Sequence, residues 1–538
     1  MSGSGVQAVE LIVLLLLVFV AFFGAFARRL QMPYPIGLVI GGLLLSLVPG
    51  IPRVSLDPQV VFFVLLPPLI YGAAWMTSWR DFSYNLVSIL LLAFGLVAFT
   101  VVGGAAVASA VFPGFGWPLG AVLGAIVAPT DALAATSIAR RVGLPRRIVD
   151  VLEGESLVND ATGLLALEFA LAIVVSGETP GVASAALRLL WLVAGGLGIG
   201  LVLGRAVEWL ELRIDDAPIE ATISILVPYA AYFAADKARA SGILAVVAAG
   251  LYLSRRSTYF FSPRVRIQLY SIWNSLNFVL NGVVFVLIGL QLPYVLSGVA
   301  GRHGLTHAVG WTLLFAAAVI ALRLIWVFPG ARLSFFIRRR LLHQQETVPG
   351  WRNVFVVGWT GMRGVVALAA AIALPTTLAD GTPFPRRDLI VFITFGVIVI
   401  TLVAQALTLP SFIRTLGLAT APGPDCEELE ARRIVLEAAL AHIEDARAKD
   451  DSQAAAVYDD LAQHYRERLD ALRAQVNDER GEPPRKEKYD ELTRELLQVE
   501  RDAAVRLRNE GRISDEVLRQ LEHDVDLREA RLMGGVLE

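Results

Sequence analysis

The sequence predicts an all-α polytopic membrane protein followed by a charged helical tail, and two observations support this fold class. Hydrophobic residues make up 55% of the 538 residues and charged residues only 18%, which lies outside the range of soluble globular proteins. Residues 421–538 hold 30 acidic and 19 basic residues, whereas residues 1–420 hold 19 acidic and 28 basic residues. We therefore expect a membrane domain over residues 1–420 and a soluble domain over residues 425–538.

Apolar runs long enough to cross a bilayer as helices, about 17 to 25 residues, recur along the first domain. The thirteen predicted spans lie near residues 9–27, 34–49, 58–76, 84–112, 117–138, 150–177, 185–207, 220–236, 240–254, 267–292, 305–328, 353–375 and 389–410. The eighth and ninth runs are short. Asp236, Lys237 and Arg239 lie between them and allow only a tight connection. No basic residue precedes the first run, so we expect a retained helix instead of a signal peptide.

Basic residues in the short loops predict how the spans are oriented. With the N-terminus outside, the inner loops hold 18 arginines and the outer loops only 6 basic residues, a bias typical of cytoplasmic loops. An odd number of spans then places the tail in the cytoplasm and the domain in the inner or plasma membrane. Thirteen spans also permit two inverted six-helix repeats joined by one linking helix, an architecture found in transporters.

The fifth span carries a proline and an acid in the middle of its apolar run. Pro129 removes a helix hydrogen bond, so the run Ala128–Pro129–Thr130–Asp131 predicts a broken helix whose free carbonyls can coordinate a cation. The alternative is a simple kink in which Asp131 caps the following helix. We favour the broken helix because Ser or Asn would cap it without the cost of a buried charge.

Polar residues form a stripe along the sixth span. Helical spacing places Ser156 and Asp160 on one face, and Glu155 and Asn159 lie beside them. Asp160 and Glu168 each cost roughly 3 kcal/mol in lipid, whereas each large apolar residue of the span returns only about 0.5 kcal/mol. The span must therefore be enclosed or line a wet cavity. Asp160 becomes a candidate transport residue, with a structural ion pair as the alternative, whereas a structural pair is the better interpretation for Glu155.

The twelfth span contains Gly358–Trp359–Thr360–Gly361–Met362–Arg363–Gly364, a stretch whose glycines permit close backbone approach. A buried arginine needs a carboxylate, and Glu155 and Asp160 are the plausible partners of Arg363. The alternative is that Arg363 extends its side chain to the cytoplasmic interface.

These motifs, taken in order, resemble those of the monovalent cation/proton antiporters of the sodium/proton exchanger type, including the bacterial antiporters with an Asn-Asp motif. The motifs are Thr130–Asp131, the Gly154–Asp160 run Gly-Glu-Ser-Leu-Val-Asn-Asp, Gly361–Gly364, Leu66–Pro67–Pro68–Leu69–Ile70 and Ser241–Gly242–Ile243–Leu244–Ala245. The resemblance covers about residues 10–415. It implies a homodimer, a mobile core bundle in which broken helices five and twelve cross, and an elevator-like movement of the ion site.

The resemblance also implies a role for each matching residue. Asp160 is expected to bind either a proton or a sodium ion, and Asp131, Thr130 and Ser156 to complete the cation shell. Asn159 is expected to bridge the broken helix to the site.

Two further expectations follow from the resemblance, and two positions fall outside it. Glu155 and Arg363 are expected to form a buried structural pair. Many relatives carry an acid where Tyr71–Gly72 stand here, which puts an assisting third-span carboxylate in doubt. Glu168, two turns beyond Asp160, has no role in the family pattern.

The chemistry of these residues agrees with cation/proton exchange. Carboxylates, hydroxyls and carbonyls suit an alkali cation, and the spans lack the His or Cys cluster that a transition metal would favour. Burial favours the neutral form of a carboxylic acid, so one Asp can hold a proton when empty and release it to sodium. With a single titrating acid in the Asn-Asp pair, we expect one-for-one electroneutral exchange, without cofactor, catalytic residues or nucleic-acid partner. The alternatives are a monovalent cation channel or uniporter and, far less favoured, an intramembrane enzyme.

The tail shows separate helical patterns. Leu429, Leu436, Leu440 and Ile443 recur at helical spacing, residues 481–484 indicate a turn, and residues 486–509 and 514–532 resume helical patterns. We therefore expect three helices, which suit a dimer contact, a regulatory module or a solubilising appendage.

Overall fold

The structure is a computed structural model that describes residues 3–30, 32–49, 56–177, 181–299, 305–344, 348–378, 381–419, 426–449, 455–477, 484–510, 512 and 514–534. Regular secondary structure in these residues is helical, apart from one isolated bridge between Thr377 and Pro383. The chain divides into two compact units, Met1–Thr420 and Ala421–Glu538.

The described residues of the first unit form helices that follow one another through short connections. They are α1 (Gly3–Arg29), α2 (Tyr34–Ser46), α3 (Leu66–Met76), α4 (Trp79–Tyr84), α5 (Leu86–Leu90), α6 (Val97–Val111), α7 (Trp117–Val127), α8 (Ala132–Val142), α9 (Arg146–Ser176), α10 (Val182–Glu211), α11 (Ala217–Lys237), α12 (Gly242–Phe260), α13 (Pro263–Leu290), α14 (Leu292–Val299), α15 (Leu305–Arg340), α16 (Trp351–Trp359), α17 (Val365–Ile372), α18 (Arg387–Ile400) and α19 (Ala406–Thr415). Three π-helical stretches, Val60–Leu65, Leu91–Leu96 and Thr401–Gln405, continue directly into neighbouring α-helices.

The helices support a multi-pass membrane protein. Among the described residues, eight helical stretches are long and apolar enough to cross a membrane, and Tyr34–Ser46 and Val60–Met76 are shorter apolar helices. Each of the thirteen predicted runs falls largely on helix, including the short eighth and ninth runs on α11 and α12. The tight connection between these two helices contains Arg239 in the left-handed region, at φ 52°. The number of crossings and the inverted repeats stay predictions.

Two of the predicted spans are interrupted near their middle. The fifth consists of α7 and α8, separated by Ala128–Asp131, so the helix breaks where Pro129 predicts it. The twelfth consists of α16 and α17, separated by a non-helical stretch from Thr360 to Gly364. Because a break frees backbone groups from helical pairing, both segments need partners from elsewhere in the fold.

The described residues of the second unit form two pairs of helices, each pair packed together. Its described helices are α20 (Cys426–Lys449), α21 (Ala455–Asn477), α22 (Pro484–Asn509) and α23 (Asp515–Gly534), with α20 against α21 and α22 against α23. The prediction of three helices is wrong because it missed α21, where Ala462 and Leu469 lie seven residues apart and are both buried. The predicted linker at residues 421–424 and residues 481–483 of the predicted turn at 481–484 lie outside the described residues, and Pro484 begins α22.

The break in the fifth span is closely packed against α9. A Cβ atom added at Gly163 would lie 2.1 Å from Cγ of Pro129, well inside contact distance. Glycine at this position therefore allows α9 to approach the interrupted segment.

We expect Gly163→Ala to lower the stability of the protein. Overpacking against a rigid proline ring costs about 1 to 3 kcal/mol, whereas the better helix propensity of alanine returns at most about 1 kcal/mol. Thermal unfolding in detergent measures the change. Gly198→Ala is the matched control, because nothing lies within 4 Å of a Cβ atom there. Equal melting temperatures for both variants would contradict the close packing at the break.

Candidate functional site

The two interrupted segments meet and exchange backbone contacts. The backbone N–H of Asp131 donates to the carbonyl oxygen of Met362 at 2.8 Å. A Cβ atom at Gly364 would lie 2.7 Å from Oδ2 of Asp131, so the absence of a side chain lets the start of α17 approach this carboxylate. The positive end of the α17 dipole thus faces an acid, an arrangement that stabilises negative charge.

Asp131 also begins α8. Its Oδ1 accepts a hydrogen bond from the backbone N–H of Leu133 at 2.8 Å, so it caps the helix as the alternative interpretation proposed. The same residue lines the cavity described below. The cap and a place in the candidate site are therefore compatible.

Thr130 is held by two residues of α9. Its hydroxyl donates to Oε1 of Glu155 at 2.9 Å and accepts from Nδ2 of Asn159 at 2.8 Å. Asn159 also donates to the carbonyl oxygen of Thr130 at 3.1 Å, which is the bridge to the broken helix that the resemblance implies. Glu155 and Asn159 are each only 1% exposed and do not line the cavity described below, so they hold the break without facing that cavity.

A cavity of about 580 Å³ brings the other predicted residues together. Thr130, Asp131, Ser156 and Asp160 all contribute to its wall. Ser156 Oγ accepts a hydrogen bond from the backbone N–H of Ala132 at 3.3 Å and so holds the start of α8. The residues that the structure describes provide no hydrogen bond to the Asp160 carboxylate. Asp160 is thus the acid of this cavity with the fewest protein partners.

The same cavity extends to one end of the helices. Its wall includes Arg140 and Glu153, which form an ion pair at 2.8 Å, and the Arg140 side chain is 68% exposed. The cavity therefore connects Asp160 with the surface at the basic end of α8.

Two buried arginines donate hydrogen bonds to backbone carbonyls at the two interrupted helices. Arg363 donates to the carbonyl oxygens of Ala128 at 2.9 Å and Pro129 at 3.3 Å, just beyond the C-terminal end of α7. Arg323 of α15 donates to the carbonyl oxygen of Val357, near the end of α16, at 3.1 Å. Positive charge at the negative end of a helix dipole is favourable, and the contacts satisfy carbonyls that the breaks leave free.

The predicted ion pair between Glu155 and Arg363 is wrong, because a different arginine pairs with Glu155. Glu155 instead accepts two hydrogen bonds from Arg323, at 2.5 Å from Nη1 and 2.8 Å from Nη2. Arg363 is 1% exposed, so it does not extend to the interface either. The physical reason is geometric: α15 presents a guanidinium to both oxygens of Glu155, whereas Arg363 is committed to the carbonyls beyond α7.

Comparison with known proteins identifies the family. The family described as sodium/hydrogen exchanger, transmembrane, matches residues 14–415. The chain belongs to the sodium/hydrogen exchanger family. An uncharacterized sodium/proton exchanger of Mycobacterium tuberculosis is 34% identical over 520 residues, which cover 94% of this chain and 93% of that protein. A sodium, potassium, lithium and rubidium/proton antiporter of Bacillus subtilis is 34% identical over 414 residues, 74% of this chain and 61% of that protein.

A solved structure shows the same fold. The sodium proton antiporter MjNhaP1 of Methanocaldococcus jannaschii superposes with a TM-score of 0.61 at 19% identity. The superposition covers 77% of this chain and 100% of that one. This exchanger-family chain therefore has the sodium/proton antiporter fold in its membrane unit.

Arg323 is the residue of this exchanger-family site that the sequence analysis missed. It lies inside the eleventh apolar run, so the rule that singled out Arg363 also applies to it. Glu168, by contrast, lies outside the cavity and pairs with Arg188 at 3.1 Å, with its side chain 51% exposed.

We expect Arg323→Ala to destabilise the protein more than Arg363→Ala does. Removing Arg323 leaves Glu155 as an unpaired buried charge, which costs about 3 to 5 kcal/mol, whereas removing Arg363 leaves carbonyls that cost about 1 to 3 kcal/mol each. Thermal unfolding in detergent ranks the variants. Combining Arg323→Met with Glu155→Gln should recover part of the loss. A lower melting temperature for Arg363→Ala than for Arg323→Ala would contradict the assigned pairing.

Proposed function

We propose that this chain exchanges sodium, or another monovalent cation, for protons across a membrane, with Asp160 as the group for which the two ions compete. The observation that supports this most strongly is the position of Asp160 in the cavity. It shares that cavity with Asp131, Ser156 and Thr130, while the neighbouring charge of Glu155 is already neutralised by Arg323. The family membership and the names of the relatives support the same activity and a transporter instead of an enzyme.

The proposed cation site consists of oxygen atoms. Asp160 and Asp131 provide carboxylates, and Ser156 and Thr130 provide hydroxyls, a ligand set suited to a hard cation. In this conformation the Thr130 hydroxyl is engaged with Glu155 and Asn159, and its carbonyl oxygen accepts from Asn159. Either oxygen therefore reaches the ion only if these contacts adjust. Asp131 and Ser156 already lie at the cavity wall.

Exchange follows from competition at one carboxyl group. Proton binding neutralises Asp160 and removes the charge that attracts the cation, whereas cation binding requires the proton to leave. With Asn159 beside it as a neutral amide, Asp160 accounts for one charge per cycle, so we propose one-for-one electroneutral exchange by alternating access. The cavity that reaches Arg140 would then represent the state open to the cytoplasm.

The membrane arrangement is part of this proposal. The bias of arginines in the loops supports an outside N-terminus, a cytoplasmic tail and location in the cell membrane. The family resemblance supports a homodimer, two inverted repeats and an elevator-like movement.

We expect Asp160→Asn to abolish exchange while the protein still folds, because the amide keeps the volume but cannot carry or release a proton. Sodium uptake into proteoliposomes under an imposed pH gradient measures the effect. Glu168→Gln is the matched control, since this acid lies on the same helix, outside the cavity. Sodium uptake driven by the pH gradient in the Asp160→Asn variant would refute the proposed site.

The same proteoliposomes separate an exchanger from a channel. Electroneutral exchange continues at an unchanged rate when the membrane potential is clamped at different values. Sodium flux that follows the potential without counterflow of protons would instead establish a channel or uniporter.

We expect the KM for sodium to rise as the pH falls. Protons compete for Asp160, so the KM should approach about a tenfold rise per pH unit once the protonated form predominates. Initial rates of sodium uptake at several pH values measure this dependence. A KM that stays constant while the maximal rate falls with pH would contradict competition at a single group.

Deletion of residues 425–538 should leave exchange measurable at the optimal pH. All of the proposed ion ligands lie in the first compact unit, so the second unit is not needed for cation binding. We expect any effect to fall on the pH optimum or on dimerisation. Complete loss of exchange in a truncated protein that still folds and inserts would make the tail an essential component.

A further inference from the structure

One wall of the ion cavity has no role in the proposed exchange mechanism. Three asparagines of α13, Asn274, Asn277 and Asn281, lie on one face of the helix at spacings of three and four residues, and all three line the cavity. Asp131 and Asp160 line the same cavity. The α13 wall therefore offers amide groups in the space that holds the proposed ion ligands.

Asn277 differs from its neighbours in how it is held. Its Oδ1 is buried and has no hydrogen-bond donor among the residues that the structure describes. A buried amide oxygen without a donor normally costs about 1 to 3 kcal/mol, so such an atom in a residue that lines the cavity calls for a partner that the described residues do not provide. Asn281, by comparison, donates from Nδ2 to the backbone carbonyl oxygen of Asn277 at 2.8 Å.

Gly72 of α3 determines where the Asn277 amide lies. A Cβ atom at Gly72 would be 2.2 Å from Oδ1, 2.5 Å from Nδ2 and 2.7 Å from Cγ of Asn277. The amide is therefore pressed against the α3 backbone, and only glycine leaves room for it. Both Gly72 and Asn277 line the cavity, so α3 supports the amide beside the path to Asp160.

We propose that the side-chain oxygen of Asn277 is a further cation contact on the path to Asp160, and that Gly72 positions it. An amide oxygen is a neutral ligand that replaces part of the hydration of an alkali cation without adding a titrating charge. Asn277 thereby lowers the KM for the cation and contributes to discrimination among alkali cations. This inference rests on the proposed function of the cavity.

The test compares the kinetics of sodium and potassium uptake in proteoliposomes. Loss of one polar contact should raise the KM of Asn277→Ala for sodium roughly three- to tenfold at a nearly unchanged maximal rate. The ratio of the sodium and potassium KM values should change as well. Gln268→Ala is the matched control, because Gln268 is an exposed amide of α13 outside the cavity lining.

A second pair of variants tests the positioning by Gly72. Gly72→Ala should displace the amide and raise the sodium KM as Asn277→Ala does. Gly72→Ala combined with Asn277→Ala should show no additional rise, since the displaced group is already absent. Gly310→Ala is the control for the glycine change, because nothing lies within 4 Å of a Cβ atom there.

Stability measurements distinguish ion binding from a structural role. A buried oxygen without a protein donor costs folding free energy, so Asn277→Ala should keep or raise the melting temperature of the unmodified protein while losing much of its stabilisation by added sodium. A lower melting temperature with unchanged KM would overturn the inference, as would parental KM and cation selectivity in Asn277→Ala. If Asp160→Asn still exchanges sodium for protons, the proposed function itself fails, whatever Asn277→Ala shows.

Discussion

A helix that is interrupted inside a membrane has backbone N–H and C=O groups to which lipid offers no hydrogen bond. The structure of the first unit depends on hydrogen-bond partners for these groups. Arg363 donates to the carbonyls beyond the end of α7, and Arg323 donates to a carbonyl near the end of α16. The backbone N–H of Asp131 donates to the carbonyl oxygen of Met362, in the other interrupted segment. Each interrupted helix therefore obtains partners from other parts of the fold, and the two breaks are held together at the cavity.

The same contacts distinguish two acids of α9, Glu155 and Asp160. Glu155 is held by both terminal nitrogens of Arg323 and also accepts from Thr130, so its carboxylate has no share in the cavity. Asp160 lies five residues further along α9, at the cavity wall. Two acids on one helix thus have different tasks, because one has a bidentate partner and the other faces open space. This division leaves the Asp160 carboxylate at the cavity wall without a charged partner among the described residues, as the proposed exchange requires.

Much of the site could be predicted because its signals are local. Pro129 indicates the break by removing a helix donor, and helical spacing places Ser156 and Asp160 on one face. The tail was harder, since α21 has few apolar residues and its buried Ala462 and Leu469 form only a weak pattern. The arginine partner of Glu155 was predicted incorrectly, because local spacing carries no information about which distant helix lies opposite.

The sequence by itself determined the membrane class, the break in the fifth span and the polar stripe of the sixth span, since each follows from composition or from neighbours within a few turns. The break in the twelfth span was expected only from the family resemblance. Tertiary structure decided that Arg323, 168 residues from Glu155, completes the ion pair. It also decided that Arg363 serves the carbonyls beyond α7 and that Gly72 makes room for Asn277. These outcomes depend on the packing of α3, α9, α13 and α15. Two arginines in similar apolar runs cannot be told apart by sequence as partners of Glu155, because only the packing brings one guanidinium to that carboxylate.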